Sequence, residues 1–242
     1  MRAPAIHRVT PRCLLLKWKS AHLTEVSEDI RTYSDWLRAN FSSELLEVTP
    51  AYTELAIYLN AESHAEPIQK ALETFSLDAP QNNSNKIVSR KITIPVCYEG
   101  EFASDIERVA KFNQLSIQQV IKLHSEATYT VAFIGFLPGF PYVTGLPDAL
   151  HTPRLSSPRP RITAGSVGIG GNQTGVYPQD SPGGWNIIGR TPIPLFNPLA
   201  TSPALLQAGD TLCFQPIDRS KFDDLTVSVR KGTFDSKIDV HD

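Results

Sequence analysis

Between Gly135 and Gly189 the chain carries 11 of its 14 glycines, and between Pro138 and Pro198 it carries 11 of its 19 prolines. Proline removes a helical hydrogen bond and clashes with the preceding turn, and glycine loses more backbone entropy on ordering than any other residue. Long helices are therefore excluded from this belt. Short strands joined by ordered turns remain, and GSVGI, TGVYP, WNIIGR, DTLCFQP and LTVSVR read as such strands. This spacing predicts a β-barrel or sandwich, with glycines turning the corners, rather than a parallel doubly wound sheet. TYTVAFIGF (128–136) reads as a buried strand leading into it.

The preceding half is patterned differently. LLLKW (14–18), ELLEV (44–48) and ELAIYL (54–59) read as strands. SEDIRTYSDWLRANF carries Ile30, Tyr33 and Leu37 at helical spacing behind a Ser27 cap, and HAEPIQKALETF carries Ile68, Leu72 and Phe75 on one helix face. LDAPQNNSN (77–85) reads as a polar linker, after which KIVSRKITIPVCY alternates at Ile92, Ile94 and Val96 as a strand does. Two short helices, SDIERVAKF and SIQQVIKLH, are expected to open on capping boxes at Ser104/Glu107 and Ser116/Gln119. The expected class is α+β: a small N-terminal α/β domain over 1–85, a β-α-β-β-α unit closed by a last strand in ferredoxin-like fashion, then a β-barrel domain over 86–242.

Several functions are disfavoured directly. A net charge of −2 without a block of like charges gives no electrostatic reason to bind nucleic acid or an anionic membrane. The N-terminal segment has only a three-leucine apolar core, and no run of about 18 apolar residues occurs, so neither a secretory leader nor a membrane span is expected. Cys13, Cys97 and Cys213 are odd in number and far apart, which suits reduced thiols in a cytoplasmic protein. No H-E-x-x-H, C-x-x-C or clustered ligand set indicates a metal, and no G-x-S-x-G marks a hydrolase nucleophile. The glycines also fail as a phosphate loop. Gly170 and Gly175 have the Walker separation, but Val176 stands where lysine is required; Gly168 and Gly170 suit the dinucleotide fingerprint, but Gln173 replaces its third glycine.

Between Lys122 and Lys221 there is no lysine, while Arg154, Arg159, Arg161 and Arg190 sit in or beside the belt. A guanidinium fork can hold a carboxylate or phosphate by two points, and it can equally brace a loop by bonding backbone carbonyls; both readings stay open.

Three long blocks, VAFIGFLPGFPYVTGLP (131–147), TPRLSSPRPRI (152–162) and AGSVGIGGNQTGVYPQDSPGGWNIIGRTP (164–192), closely resemble a bacterial family. It contains the 5-oxoprolinase B subunit, the subunit-1 type allophanate hydrolase or carboxyltransferase domain, and the sporulation histidine-kinase inhibitor. The resemblance implies an α/β domain followed by a cyclophilin-like β-barrel. It further implies a subunit, inactive alone, of an enzyme that opens 5-oxo-L-proline to L-glutamate together with subunits A and C. ATP would be the co-substrate, bound on a partner or on a shared surface, with no metal on this chain. Kinase inhibition by protein binding, or an allophanate hydrolase or carboxyltransferase role, are the alternatives.

Within that resemblance Arg159 and Arg161 are candidate catalytic anion contacts, and His124 is a candidate for proton transfer, although a helix C-terminus alone favours a histidine there. Gly165, Ser166 and Gly168 are candidates for backbone contact to the substrate, with Gln173, Tyr177 and Arg190 as side-chain donors. Trp185 is expected to pack as a barrel aromatic, and Phe136, Pro138 and Phe140 form a proline-stiffened apolar loop suited to covering a partner subunit.

Overall fold

The computed structural model describes residues 3–19, 23–76, 89–233 and 238–241. The chain divides into two compact units, Met1–Ile87 and Val88–Asp242. The linker expected at 77–85, and the domain boundary expected after residue 85, lie outside the described residues.

In the first unit β1 (Ala5–Thr10), β2 (Cys13–Lys17), β3 (Leu45–Pro50) and β4 (Glu54–Leu59) form an antiparallel sheet in the order β1-β2-β4-β3. Alternation on β2 and β4 turns Leu14, Leu16, Leu55, Ile57 and Leu59 inward. There they meet Ile30, Tyr33 and Leu37 of α1 (Leu23–Phe41) and Ile68 and Leu72 of α2 (Ala65–Thr74) in one core. The edge strand β1, AIHRVT, is almost wholly exposed, so it has no apolar alternation for a sequence reading to find. It precedes the first predicted strand, and the element order is β-β-α-β-β-α. Helix α1 starts at Leu23, which places Ser27 inside it rather than at its cap.

The second unit contains β5 (Ser89–Cys97), β6 (Tyr129–Ile134), β7 (Pro141–Thr144), β8 (Arg159–Ile162), β9 (Ser166–Gly170), β10 (Gln173–Val176), β11 (Ser181–Gly183), β12 (Asn186–Arg190), β13 (Thr211–Ile217) and β14 (Ile238–His241). Seven of them close in the ring β12-β9-β10-β7-β6-β13-β5, sealed where Arg190 pairs with Cys97. The β5–β13 pair is parallel and the other ring pairs are antiparallel. Closure removes the exposed sheet edges. β14 lies along β5, and β8 with β11 makes a separate two-stranded ribbon. Between 135 and 198 the only helical turn among the described residues is the 3-10 turn Asp148–Leu150. Ile92, Ile94 and Val96 alternate into the barrel interior, where Val109 and Val120 join them from α3 (Ile106–Phe112) and α4 (Ile117–Glu126).

LTVSVR, read from sequence as a strand, is instead the second half of α5 (Arg219–Arg230). Its β-branched residues are overridden by an N-cap, in which Asp218 accepts the Lys221 amide at 2.7 Å, and by Phe222 packing on Phe102 with ring centroids 4.4 Å apart. The Ser116/Gln119 capping box forms, with bonds of 2.7 and 3.2 Å. The Ser104/Glu107 box does not: Asp105 is the N-cap of α3, and its side chain makes no capping bond. Among the described residues no helix is long and apolar enough to cross a membrane.

The glycine density has a packing cause. A Cβ at Gly170 would overlap the Trp185 indole, one at Gly175 would come within 2.8 Å of the Pro141 carbonyl and 3.2 Å of the indole, and one at Gly168 would press on the Trp185 Cβ at 3.2 Å. The three glycines form the slot in which the indole lies. Gly170→Ala is expected to destabilise the protein by about 1–3 kcal/mol through overpacking. In urea unfolding, that loss shrinks when the indole is also shortened by Trp185→Leu.

Candidate functional site

Around the Trp185 indole lies a mostly aromatic floor of Phe140, Tyr177 and Trp185 with Ile162 and Ile187, a buried cluster separate from the interior core. Its rings meet edge to face, Phe140 standing 5.3 Å from Tyr177 and 5.6 Å from Trp185. Arg154 lies over the Trp185 ring at 5.8 Å, within cation–π range, and donates from Nη2 to Gln173 Oε1 at 3.2 Å. Burial pushes the Tyr177 phenol up to about 12, overcoming the downward pull of the Arg154 and Arg159 charges and of the Trp185 amide that bonds it. The phenol therefore stays protonated at neutral pH and is a donor.

Arg159, at the start of β8, donates from Nη2 to Asp105 Oδ1 at 2.6 Å. Asp105 Oδ2 accepts the Ile187 amide at 2.7 Å, while the Asp105 amide donates to the Ile187 carbonyl at 2.8 Å. The other end of the fork, Nη1 of Arg159, is buried and has no hydrogen-bond partner. Buried donors are almost always satisfied, so this one marks a place for an acceptor. The chain neighbour of Ile187, the fully buried Asn186, donates to the carbonyls of Ile169 and Pro153 at 2.9 and 3.0 Å and accepts from Arg108 Nε at 2.8 Å. This pins β12 to the segment that carries Arg154.

The remaining predicted residues lie elsewhere or are already committed. Arg161 pairs with Asp180 at 2.5 Å, and the other oxygen of Asp180 accepts the Ala164 amide at 2.8 Å. Arg190 donates to the Ala164 carbonyl at 3.0 Å and lies over Phe102 at 5.6 Å. Arg190 thus bonds a backbone carbonyl, as the loop-bracing reading has it, whereas Arg161 holds a carboxylate of the chain itself. The Gly165 amide donates to the Tyr177 carbonyl at 2.7 Å and that of Ser166 to Thr163 at 3.1 Å, while Gly168 is paired between β10 and β12. The expected cradle of backbone donors is thus taken up by the barrel itself. Of the apolar loop, Phe136 is 62% exposed and Pro138 is exposed, whereas Phe140 belongs to the buried floor.

His124 projects from α4 into the interior, fully buried and stacked on Phe214 at 4.5 Å. The Thr174 hydroxyl donates to the Gly168 carbonyl at 3.0 Å, so it accepts from His124 Nε2 at 3.0 Å, which leaves Nδ1 to accept the Tyr98 hydroxyl at 2.8 Å. Neither the proton-transfer role nor the helix-dipole role fits a ring whose two nitrogens are engaged in the core. Burial holds His124 down at about 3. Among the described residues no group of acids, histidines or cysteines is placed to hold a metal.

Residues 4–206 match the family described as carboxyltransferase domain, subdomain C and D. The chain is 42% identical to the 5-oxoprolinase B subunit of Bacillus subtilis over 186 residues, covering 73% of this chain and 78% of that protein. The chain belongs to this family. A second member, the 5-oxoprolinase B subunit of Haemophilus influenzae, is 44% identical over 171 residues, covering 71% of this chain and 79% of that protein. Among solved structures, TTHA0988 superposes with a TM-score of 0.74 at 32% identity over 86% of this chain, which spans only 40% of the length of TTHA0988.

Sequence reasoning missed Asp105, Arg108 and Asn186. Asp105 was hidden inside an apparent capping signal, and Asn186 looks like a polar interruption of a strand; partners 82 and 78 positions away in the chain give them their roles. For His124, the unfolded chain gains a proton as pH falls below the ordinary value near 6.5, whereas the folded chain gains it only near 3. Stability is therefore lost as pH falls through that window, with a slope approaching about 1.4 kcal/mol per pH unit. Unfolding midpoints measured from pH 7 to 4 are expected to fall less steeply in His124→Gln than in the wild type.

Proposed function

We propose that this chain is the B subunit of an ATP-dependent 5-oxoprolinase, opening 5-oxo-L-proline to L-glutamate together with partner subunits A and C and inactive without them. The observation that carries this is 42–44% identity to two 5-oxoprolinase B subunits over more than seventy per cent of the chain. The site's chemistry agrees with it. 5-Oxoproline is a flat ring bearing a carboxylate and a lactam carbonyl, both acceptors. The aromatic floor offers it the unpartnered Arg159 terminus, the neutral Tyr177 hydroxyl and the Arg154 charge. Gln173 holds Arg154 in place.

A lactam is a poor electrophile, and ATP would activate it by phosphorylating its oxygen. The amide of Gly165 is bonded and Gly168 is paired within the barrel, so we assign the nucleotide to a partner or to a shared surface. The same relationship supports a cyclophilin-like barrel for the second unit and a ferredoxin-like variant, with β1 at its edge, for the first. The free thiols Cys13, Cys97 and Cys213 support a cytoplasmic location.

We assign partner contact to the loop of Phe136 and Pro138. Phe136 has φ +67, a left-handed conformation unfavourable for a bulky side chain, and still exposes its ring. Phe136→Asn is expected to leave the melting temperature of the isolated chain unchanged or higher and to weaken co-purification with the partner subunits.

Assembled with A and C, the wild-type chain is expected to release glutamate from 5-oxo-L-proline only when ATP is present, and alone to release none. A fully assembled mixture without ATP-dependent glutamate would overturn the proposal. In that assay Arg159→Gln is expected to lower kcat/KM by about 10- to 150-fold, the value of a charge-assisted bond of roughly 1.5–3 kcal/mol. Arg161→Gln, which removes a loop brace, is expected to stay within about threefold of wild type.

A further inference from the structure

Asp105 is the N-cap residue of α3, where an aspartate ordinarily accepts an amide of the first helical turn, yet it makes no such bond. Its two oxygens are used instead across the fold, one on Arg159 and one on the Ile187 amide, with its own amide returning a bond to Ile187. One buried carboxylate thus joins the start of α3, strand β12 and ribbon strand β8. It engages only one terminal nitrogen of the guanidinium, and the other terminal nitrogen is buried without a partner.

A carboxylate bridging both terminal nitrogens would occupy the edge of the fork that could meet a ligand, and an arginine held by nothing would lose side-chain entropy whenever it met one. Attachment by one nitrogen avoids both outcomes. From this geometry we infer that Asp105 is a positioning residue: it presents Arg159 with Nη1 free, so that the arginine meets a carboxylate-bearing substrate already oriented. This inference rests on the proposed 5-oxoprolinase reading for the identity of the substrate, but not for the arrangement of the two side chains.

The test uses Asp105→Asn, which keeps the size of the side chain and an oxygen for the Ile187 amide, in the complex assembled with both partner subunits. The KM for 5-oxo-L-proline is expected to rise at least tenfold, with kcat changing by less. In an Arg159→Ala background Asp105→Asn is expected to add less than twofold, because the two residues act through one contact. An unchanged KM, or the same tenfold loss in both backgrounds, would overturn the inference, since the latter is what a purely structural clamp on Ile187 gives.

Arg159→Lys is the second variant. It retains a charge for Asp105 but has no second terminal nitrogen, and its KM is expected to rise by a similar factor; wild-type KM would also count against the inference. Crystal structures of wild type and Asp105→Asn supply a readout that needs no turnover. The guanidinium is expected to leave its place in the variant, and an unmoved Arg159 would refute positioning by Asp105. A silent enzyme mixture would therefore count against the proposed function alone.

Discussion

The indole of Trp185 is the constraint around which the site face of the barrel is arranged. It occupies a slot that exists only because Gly168, Gly170 and Gly175 carry no side chain. Once seated there it completes the aromatic floor with Phe140 and Tyr177 and lies beneath Arg154, while the backbone amide of Trp185 donates to the Tyr177 hydroxyl. The glycines are therefore needed for close approach to a ring, which explains how a stretch resembling two nucleotide motifs can match neither. The strands that carry them are paired on both sides within the sheet.

Burial then sorts the polar groups into those that hold the barrel and those that remain able to bind. His124, Thr174, Tyr98 and Asn186 are buried with their bonds made, and they fix helix α4 and strand β12 to the interior. Arg161 and Arg190 are engaged at Ala164 and Asp180. Against that background the terminus of Arg159 stands apart from the other arginines of the belt, because it is shielded from water and no residue nearby satisfies it; in the same ribbon the Ser181 hydroxyl is likewise buried without a partner. A donor in that state is destabilising to the empty chain and favourable to a complex that supplies an acceptor, which is how a binding site differs from a brace made of the same residue type.

Wherever local pattern and burial coincide, the sequence was legible. The alternation of Ile92, Ile94 and Val96 and the helix face of Ile68 and Leu72 are found where expected, and the glycine–proline belt does exclude long helices in favour of a barrel. Strand β1 escaped notice because almost all of its residues face solvent, and LTVSVR was misjudged because an Asp218 cap and the packing of Phe222 outweigh the β-branched residues. For the candidate site, residue types pointed to arginine in the belt, and Arg159 pairs with the buried Asp105 while Arg161, two positions along the same strand, pairs with the more exposed Asp180. Nothing local separates those two arginines. Their difference comes from Asp105 and Asp180, which lie 54 and 19 positions away in the chain.

The commitments of the acids bear on what this face of the barrel can do chemically. Opening a lactam requires a group that draws a proton from water as well as groups that bind the substrate's oxygens. The carboxylates that touch these arginines, Asp105 and Asp180, each already accept from an arginine and a backbone amide, and His124 is sealed in the interior with both nitrogens bonded. The face is thus equipped to stabilise negative charge and poorly equipped to accept a proton. Under the proposed 5-oxoprolinase reading, a division of labour in which this chain supplies donors and a partner supplies the base fits that imbalance.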